Sequence, residues 1–454
     1  MKATAAISLL WQLLAFEPAA VSACLTAAEM RGENHISVLH RRQRMHNLTN
    51  EGTIPIGVGD RFQQGTVLPV GIGSQAPANL TTVYNVVEIE SATRSLVREY
   101  NLQYFETPFK TYENATMFGI KIPCAATASK AASNASYTVL LEAGIHARER
   151  GGPDHLLNFI SDLLWAEGHG TGLIYGGVEY TAAEVQKARS VGVVVLPLVN
   201  PDGVAYDHAT NSCWRKNRNR ASASPNDTFS IGVDLNRNFP PAWDYRKTMA
   251  PGTTDAISDK PSEIVYRGTA PLSEPETQNV AWTMDQMPDL KWFLDLHSMA
   301  GMMLYGWGID TNQGKDKSMN LVNQAYDGKR GAIPDNRGRG FVYGEYYDPE
   351  EYVAATLAAT NVADAMLAAG GRNYFAQQSA GLYPAPGGSS DHPMFRALSD
   401  PAKHKWANGF TLEFGQPNEK AECQFYPTVE MHQLNMMETG AAFMEILLSA
   451  AKLS

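Results

Sequence analysis

Four short apolar runs constrain this chain more than any other feature: YTVLLEAGI (137–145), VGVVVLPLV (191–199), KWFLDL (291–296) and GFTLEF (409–414). Each is rich in β-branched or aromatic residues, bounded by turn-forming residues and short for a core helix. Each therefore predicts a strand buried on both faces. Between them lie segments with helical spacing. PDHLLNFISDLLW carries apolar residues at 156, 157, 160, 163 and 164 and opens on Pro153; YNVVEIESATRSLVREYN (84–101) shows the same period. Strands alternating with helices predict an α/β fold with a largely parallel sheet, and no repeat or linker divides residues 83–454. In such sheets the working residues gather past the carboxyl ends of the strands. His146 and Glu149 follow the first run, NPDG (200–203) follows the second, His297 follows the third, and Glu413 closes the fourth.

The residue types at those ends suggest a metal. Two imidazoles and a carboxylate are the usual three protein ligands of a catalytic zinc, with a fourth position left for water. His-x-x-Glu alone is weak, because such a pair is also an ordinary polar loop. Glu413 is more informative, since an acid inside an apolar strand costs several kcal/mol unless it is paired or catalytic. WRKNRN (214–219) and GVDLNRNF (232–239) place Arg215, Arg218, Asn236 and Arg237 in polar loops. They are either surface charge or an anion clamp, since guanidinium binds carboxylate through parallel hydrogen bonds. NPDG by itself reads as a turn.

The remaining features bound the class. Of the 454 residues 44% are hydrophobic and 19% charged, with a net charge of −10, so a nucleic-acid partner is not expected. Residues 1–23 read as a signal peptide: Lys2, the apolar AAISLLWQLLAF, then VSA. VSAC also fits a bacterial lipoprotein box with Cys24 as the anchored residue. Sequons at Asn47, Asn79, Asn114, Asn134 and Asn226 favour a secreted glycoprotein. Residues 24–82 form a Gly- and Pro-rich extension, readable as a short pro-segment, in which RRQR (41–44) could be cut. No later stretch is expected to span a membrane. Cys24, Cys124, Cys213 and Cys423 allow two disulfides in any of three pairings.

Taken in order, GIHARE, NPDG, WRK, DLNRNF, YRGTAPLSEPE, LHS, YPAPGGSSD and FTLEFG resemble the zinc metallocarboxypeptidases of the pancreatic A/B type over residues 83–454. The resemblance implies one α/β domain with a mixed, mostly parallel eight-stranded sheet, a monomer, one zinc ion, and peptide or protein C-termini as substrate. It implies His146, Glu149 and His297 as metal ligands and Asp234 as the carboxylate that orients a ligand histidine. Glu413 becomes the general base and acid, and Arg215 the group that polarises the scissile carbonyl. Asn236 and Arg237 match the clamp on the terminal carboxylate, Tyr383 the mobile tyrosine and Arg148 a subsite arginine. It also suggests Cys213–Cys423 as one disulfide, leaving Cys24 with Cys124.

Three departures qualify it. The extension is short for a globular inhibitory domain. His297 and Tyr383 lie 86 residues apart, with GKRGAIPDNRGRGFVYGEYYDPEEY inserted between them. Ser390 stands where the family sets side-chain specificity, in place of an apolar residue or an acid, and Asp391 is expected to turn away from the pocket. A neutral apolar or aromatic C-terminal residue is the expected preference. The alternatives are a zinc hydrolase of acyl-amino acids or cell-wall peptides, and an inactive carboxypeptidase-like binding protein.

Overall fold

The computed structural model describes residues 48–74, 80–125, 136–335 and 342–452. The signal peptide, Cys24, the RRQR site and the sequons at Asn47, Asn79 and Asn134 lie outside them. The sheet has eight strands: β1 Gln103–Lys110, β2 Thr116–Ile122, β3 Val139–Ala143, β4 Val193–Leu196, β5 Trp292–Ser298, β6 Met302–Tyr305, β7 Phe375–Gln378 and β8 Asn408–Phe414. Their spatial order is β1-β2-β4-β3-β5-β8-β6-β7. The central run β4-β3-β5-β8 is parallel, whereas β1-β2, β2-β4 and β8-β6 are antiparallel. The mixed, mostly parallel sheet expected from the resemblance is thus present. The four apolar runs are its four central strands.

Alternation along these strands builds two cores and the site at once. Leu141 and Ala143 of β3, Leu294 and Leu296 of β5, and Phe410, Leu412 and Phe414 of β8 join the larger core. Leu140 and Phe293 face the smaller core of the opposite side. Following that second side along each strand, apolar residues give way to polar ones. Leu140 is followed by Glu142, Phe293 by Asp295 and His297, and Gly409 by Thr411 and Glu413, all buried except for the glycine's missing side chain.

Helices cover both faces: α1 Val86–Tyr100, α2 Gly152–His169, α3 Pro201–Thr210, α4 Pro275–Asp285, α5 Pro349–Gly370, α6 His392–Ser399 and α7 Val429–Lys452. α1 begins in a reciprocal cap: the Asn85 side chain accepts from Glu88 N–H, and the Glu88 side chain accepts from Asn85 N–H. NPDG, read as a turn, is the start of α3, with Asn200 as its cap and Pro201 at its first position. α5 passes the length and composition of a membrane-spanning helix, contrary to the expectation that no such stretch exists. Its apolarity comes largely from alanines; Ala355, Ala358, Ala359, Ala363 and Ala369 are buried, and the helix packs against α7, β6 and β7.

The described part of the extension packs onto the same core. Ile54 and Phe62 are buried, Arg61 pairs with Glu88 at 2.7 Å, and Ile54 N–H donates to Pro427 O at 2.7 Å. Glu422 N–H donates to Thr49 O, and Cys423 N–H to Asn50 Oδ1, both at 3.0 Å. Cys213 and Cys423 form the disulfide suggested by the resemblance, with Cα atoms 5.6 Å apart. The second suggested pair includes Cys24 and so lies outside the described residues. Asn114 and Asn226 are exposed at positive φ, in turns.

His155 of α2 and His432 of α7 are buried against each other, with His155 Nε2 and His432 Nδ1 3.4 Å apart. Gly151, at φ +99°, is required beside them: a Cβ there would lie 2.9 Å from His432 and 3.0 Å from His155. Burial pushes His432 down to about 4, and burial followed by its neighbour His432 pushes His155 well below its ordinary value. Both are neutral when folded, so the unfolded chain binds more protons below about pH 6.5. Their contribution is complete above the unfolded value and is lost as pH falls toward about 4 for His432. The expected result is a melting temperature that drops between these limits, and drops less steeply for His432→Gln. Parallel melting curves for the two proteins would show that this pair does not set the acid limit.

Candidate metal centre and active site

His146 and Glu149 sit in the turn between β3 and α2, and His297 sits near the end of β5. All three are buried, and their ligand atoms lie within 4.8 Å of one another. The contacts are specific. His146 Nδ1 is 2.7 Å from Glu149 Oε1, His297 Nδ1 is 3.0 Å from Glu149 Oε2, and the two Nδ1 atoms are 3.1 Å apart. Each imidazole turns its other nitrogen to a carboxylate: His146 Nε2 to Asp234 Oδ1 at 3.1 Å, and His297 Nε2 to Asp295 Oδ2 at 2.8 Å. A carboxylate there holds the proton on Nε2 and leaves a lone pair on Nδ1. Two lone pairs and a carboxylate then face one another at hydrogen-bond distance, met at the edge by Arg215 Nη1, 3.2 Å from His146 Nδ1, and by Ser298 N–H, 3.1 Å from Glu149 Oε2. Such an electron-rich donor set favours a cation inside it, and nitrogen and oxygen donors of this kind suit zinc. Burial and then Arg215 push His146 below its ordinary value, which keeps it neutral, as a ligand must be.

The supporting shell comes from the loops after β4. Arg215 donates to Asp234 Oδ2 from Nε at 3.0 Å and from Nη2 at 2.9 Å, and its Nη1 lies 3.8 Å from Glu149 Oε1. Burial alone would raise Asp234; Arg215, with His146, outweighs it and holds the carboxylate well below its usual range. The Asn200 amide donates to Ile145 O at 3.1 Å and to Lys216 O at 3.2 Å, and so ties the neighbour of His146 to the neighbour of Arg215. Lys216 spends its ammonium on Phe229 O at 2.6 Å and Pro261 O at 2.7 Å, which braces the same loop.

Glu413 stands directly beside His297 in the β8–β5 register. With Asn236, Arg237, Tyr383 and Ser390 it lines an open cavity. Leu304, Leu382, Ala385 and Thr411 supply further wall; Ser379 and Asp391 are polar additions. Asp391 thus lines the cavity instead of turning away. Both its oxygens accept from Gly308 N–H at 2.9 Å, and burial pushes it up to about 7. Arg148 is fully buried with its guanidinium 4.0 Å over the Phe425 ring. Arg218 is not brought to the cavity; it stacks 3.6 Å over Tyr206.

The sequence reading passed over Asp295, Glu142 and Ser389. Asp295 also accepts from Ser389 Oγ at 2.5 Å, so the segment carrying Ser390 is bonded to the carboxylate behind His297. Glu142 faces Asp295 across β3 and β5 and finds no hydrogen-bond partner among the described residues. Burial, then Asp295, raises its carboxyl well above the usual range.

A buried two-imidazole, one-carboxylate centre at the strand ends of a mixed α/β sheet, with an acid and an arginine in one adjoining cavity, defines a class of metal-dependent protein. The profile described as zinc carboxypeptidase matches residues 93–436, and the chain belongs to that family. Human carboxypeptidase O is 29% identical over 267 residues, 57% of this chain and 62% of the relative, so the match spans less than two thirds of that protein. Carboxypeptidase B of Astacus astacus is 25% identical over 318 residues, 68% of this chain and 81% of the relative. The crystal structure of thrombin activatable fibrinolysis inhibitor shares the fold, with a TM-score of 0.58 at 20% identity over 87% of this chain and 80% of that one.

Because Asp295 fixes the tautomer of His297, Asp295→Ala should weaken zinc binding by about 10- to 100-fold. Competition with a chromophoric chelator measures it. Undiminished affinity would mean that His297 needs no partner on Nε2.

Proposed function

We propose that this protein is a zinc-dependent exopeptidase that removes the last residue of peptides and proteins, preferring a neutral apolar or aromatic one. The observation that carries the reading is that Glu413 and the Asn236–Arg237 pair line one cavity beside the three acceptor groups. An acid next to a metal centre suits many hydrolases. An arginine clamp in the same cavity restricts the substrate to one with a terminal carboxylate.

His146, Glu149 and His297 would hold the zinc, which when bound supplies Lewis acidity toward water and carbonyl oxygen. Arg237 and Asn236 fix the substrate carboxylate, so that only the last peptide bond reaches Glu413. A Glu413 carboxylate oxygen takes a proton from the attacking water and later delivers it to the leaving amine nitrogen. Arg215 faces the negative charge that develops on the carbonyl oxygen. Tyr383, half-buried at the cavity rim, covers the bound residue and excludes water. The signal-peptide reading and the exposed sequons at Asn114 and Asn226 support action outside the cell.

Glu413→Gln should keep one zinc per chain and lose turnover by several orders of magnitude; metal analysis and initial rates on one sample measure both, and an active variant would remove Glu413 from the mechanism. Amidating the substrate, or Arg237→Ala, should cost about 2–5 kcal/mol in kcat/KM, because a buried charge loses its partner. Equal rates on acid and amide would favour a different zinc hydrolase. Among peptides ending in Phe, Leu, Lys and Arg, the first two should be favoured, since Ser390 offers no charge and Asp391 is occupied by Gly308 N–H. Ser390→Asp should gain on Lys and Arg, and a wild type that already prefers them would show that Asp391 is the recognising acid.

A further inference from the structure

The segment 248–256 lies beside the cavity and is held on both sides. On the inner side, Arg237 Nε donates to Ala256 O, and Nη1 donates to Asn236 O at 2.5 Å. The first bond takes the Nε hydrogen, without which the Nε–Nη2 side edge cannot grip a second group, and the second takes one Nη1 hydrogen; Nη2 and the other Nη1 hydrogen remain, so a carboxylate in the cavity meets the guanidinium end-on. The direction of the clamp is therefore set by where Ala256 O lies. That position is set by Thr254, whose Oγ accepts from Ala256 N–H at 3.0 Å and donates to Pro384 O at 2.6 Å. Pro384 follows Tyr383, and Tyr383 packs against the Ala256–Val265 cluster. One hydroxyl thus ties the carbonyl that aims Arg237 to the loop that carries the tyrosine.

On the outer side the brace is the insertion. Met249 and Arg330 form a parallel bridge, Ala250 N–H donates to Arg330 O at 2.8 Å, and Gly328 N–H donates to Thr248 O at 3.1 Å. Arg330 is fully buried. It donates to Asp327 Oδ1 and Asn323 O at 2.9 Å and to Asn320 O at 3.1 Å, and its guanidinium lies 5.0 Å over Tyr343. A cation buried with that many acceptors gives a rigid knot, because loosening it leaves polar groups unpaired.

We infer that Thr254 is a positioning residue for the carboxylate clamp, and that the inserted segment, through Arg330, holds the Thr248–Ala256 strap that carries it. Thr254 touches no reacting atom. It acts by fixing Ala256 O, and through it Arg237, in step with the Tyr383 loop. The inference rests on the exopeptidase reading. If the wild type hydrolyses no peptide with an unmodified C-terminus, that reading fails; the inference fails only on the variants.

The test uses the full chain with zinc. Thr254→Val keeps the shape and removes the hydroxyl. It should raise KM for unblocked peptides about 10-fold, change kcat less than about 3-fold, and narrow the preference for acid over amide. Zinc content should stay at one per chain, and Thr254→Ser should restore KM. An unchanged KM overturns the inference, and so does a raised KM that Thr254→Ser does not restore. Arg330→Met should raise KM in the same direction; a fall in melting temperature with KM unchanged removes the insertion from the device. If Arg330→Met does not fold, Asp327→Asn, which weakens one bond of the knot, is read by the same KM criterion.

Discussion

The centre of this molecule is an arrangement that does not close on itself. Asp234 and Asp295 each claim the Nε2 proton of a histidine, so two Nδ1 lone pairs and the Glu149 carboxylate are pressed together at 2.7–3.1 Å. Arg215 Nη1, 3.2 Å from His146 Nδ1, and Ser298 N–H, 3.1 Å from Glu149 Oε2, meet that crowding from its edge, and one divalent cation would meet it from within. Much else holds the crowd in place. Arg215 anchors Asp234, Asn200 anchors the loops bearing His146 and Arg215, and Ser389 anchors Asp295. The fold invests buried polar contacts in a geometry that becomes favourable only when the metal is present.

The same two-residue period that builds the sheet also writes the site. Along β5 Phe293, Asp295 and His297 share one face, so apolar packing passes into a buried carboxylate and then an imidazole within about 13 Å of strand. Along β8 the sequence Gly409, Thr411, Glu413 does the same beside it. Catalytic placement is therefore not added to the scaffold by loops alone. It is the polar end of the pleat.

This explains what could be read in advance. The four central strands were legible because both of their faces are buried, which makes the apolar runs continuous. Glu413 was legible as a buried acid, and the same reasoning applies unchanged to Asp295 in KWFLDL and Glu142 in TVLLEAG. Neither has a motif around it, so a lone acid in an apolar run is the only signal that each gives. β1, β2, β6 and β7 gave no comparable signal. β1 and β7 are edge strands with exposed positions, and β6 has four residues reached from β5 through a tight turn. Asn200 looked like a turn residue, because a cap and a turn share the same Asn-Pro chemistry. Its two bonds to distant carbonyls have no signature in the chain. The disulfide and the placement of Arg237, Tyr383 and Ser390 rested on the resemblance, since ligands drawn from positions over a hundred residues apart meet only through topology.

The hydrogen bonds from residues 49–54 to residues 422–427 join two stretches some 370 positions apart, and they lie beside the disulfide and the Phe425 that supports Arg148. Protein synthesis runs from the N-terminus, so the order in which the parts emerge is fixed. The three acceptor groups at 146, 149 and 297 leave the ribosome before Glu413, before Cys423 can find Cys213, and before residues 49–54 have their partners at 422–427. A half-made chain can hold the three acceptor groups without the Glu413 carboxylate beside them. Of the residues that line the cavity Glu413 is synthesised last, so its carboxylate joins the centre only after Arg237 and Tyr383 have emerged.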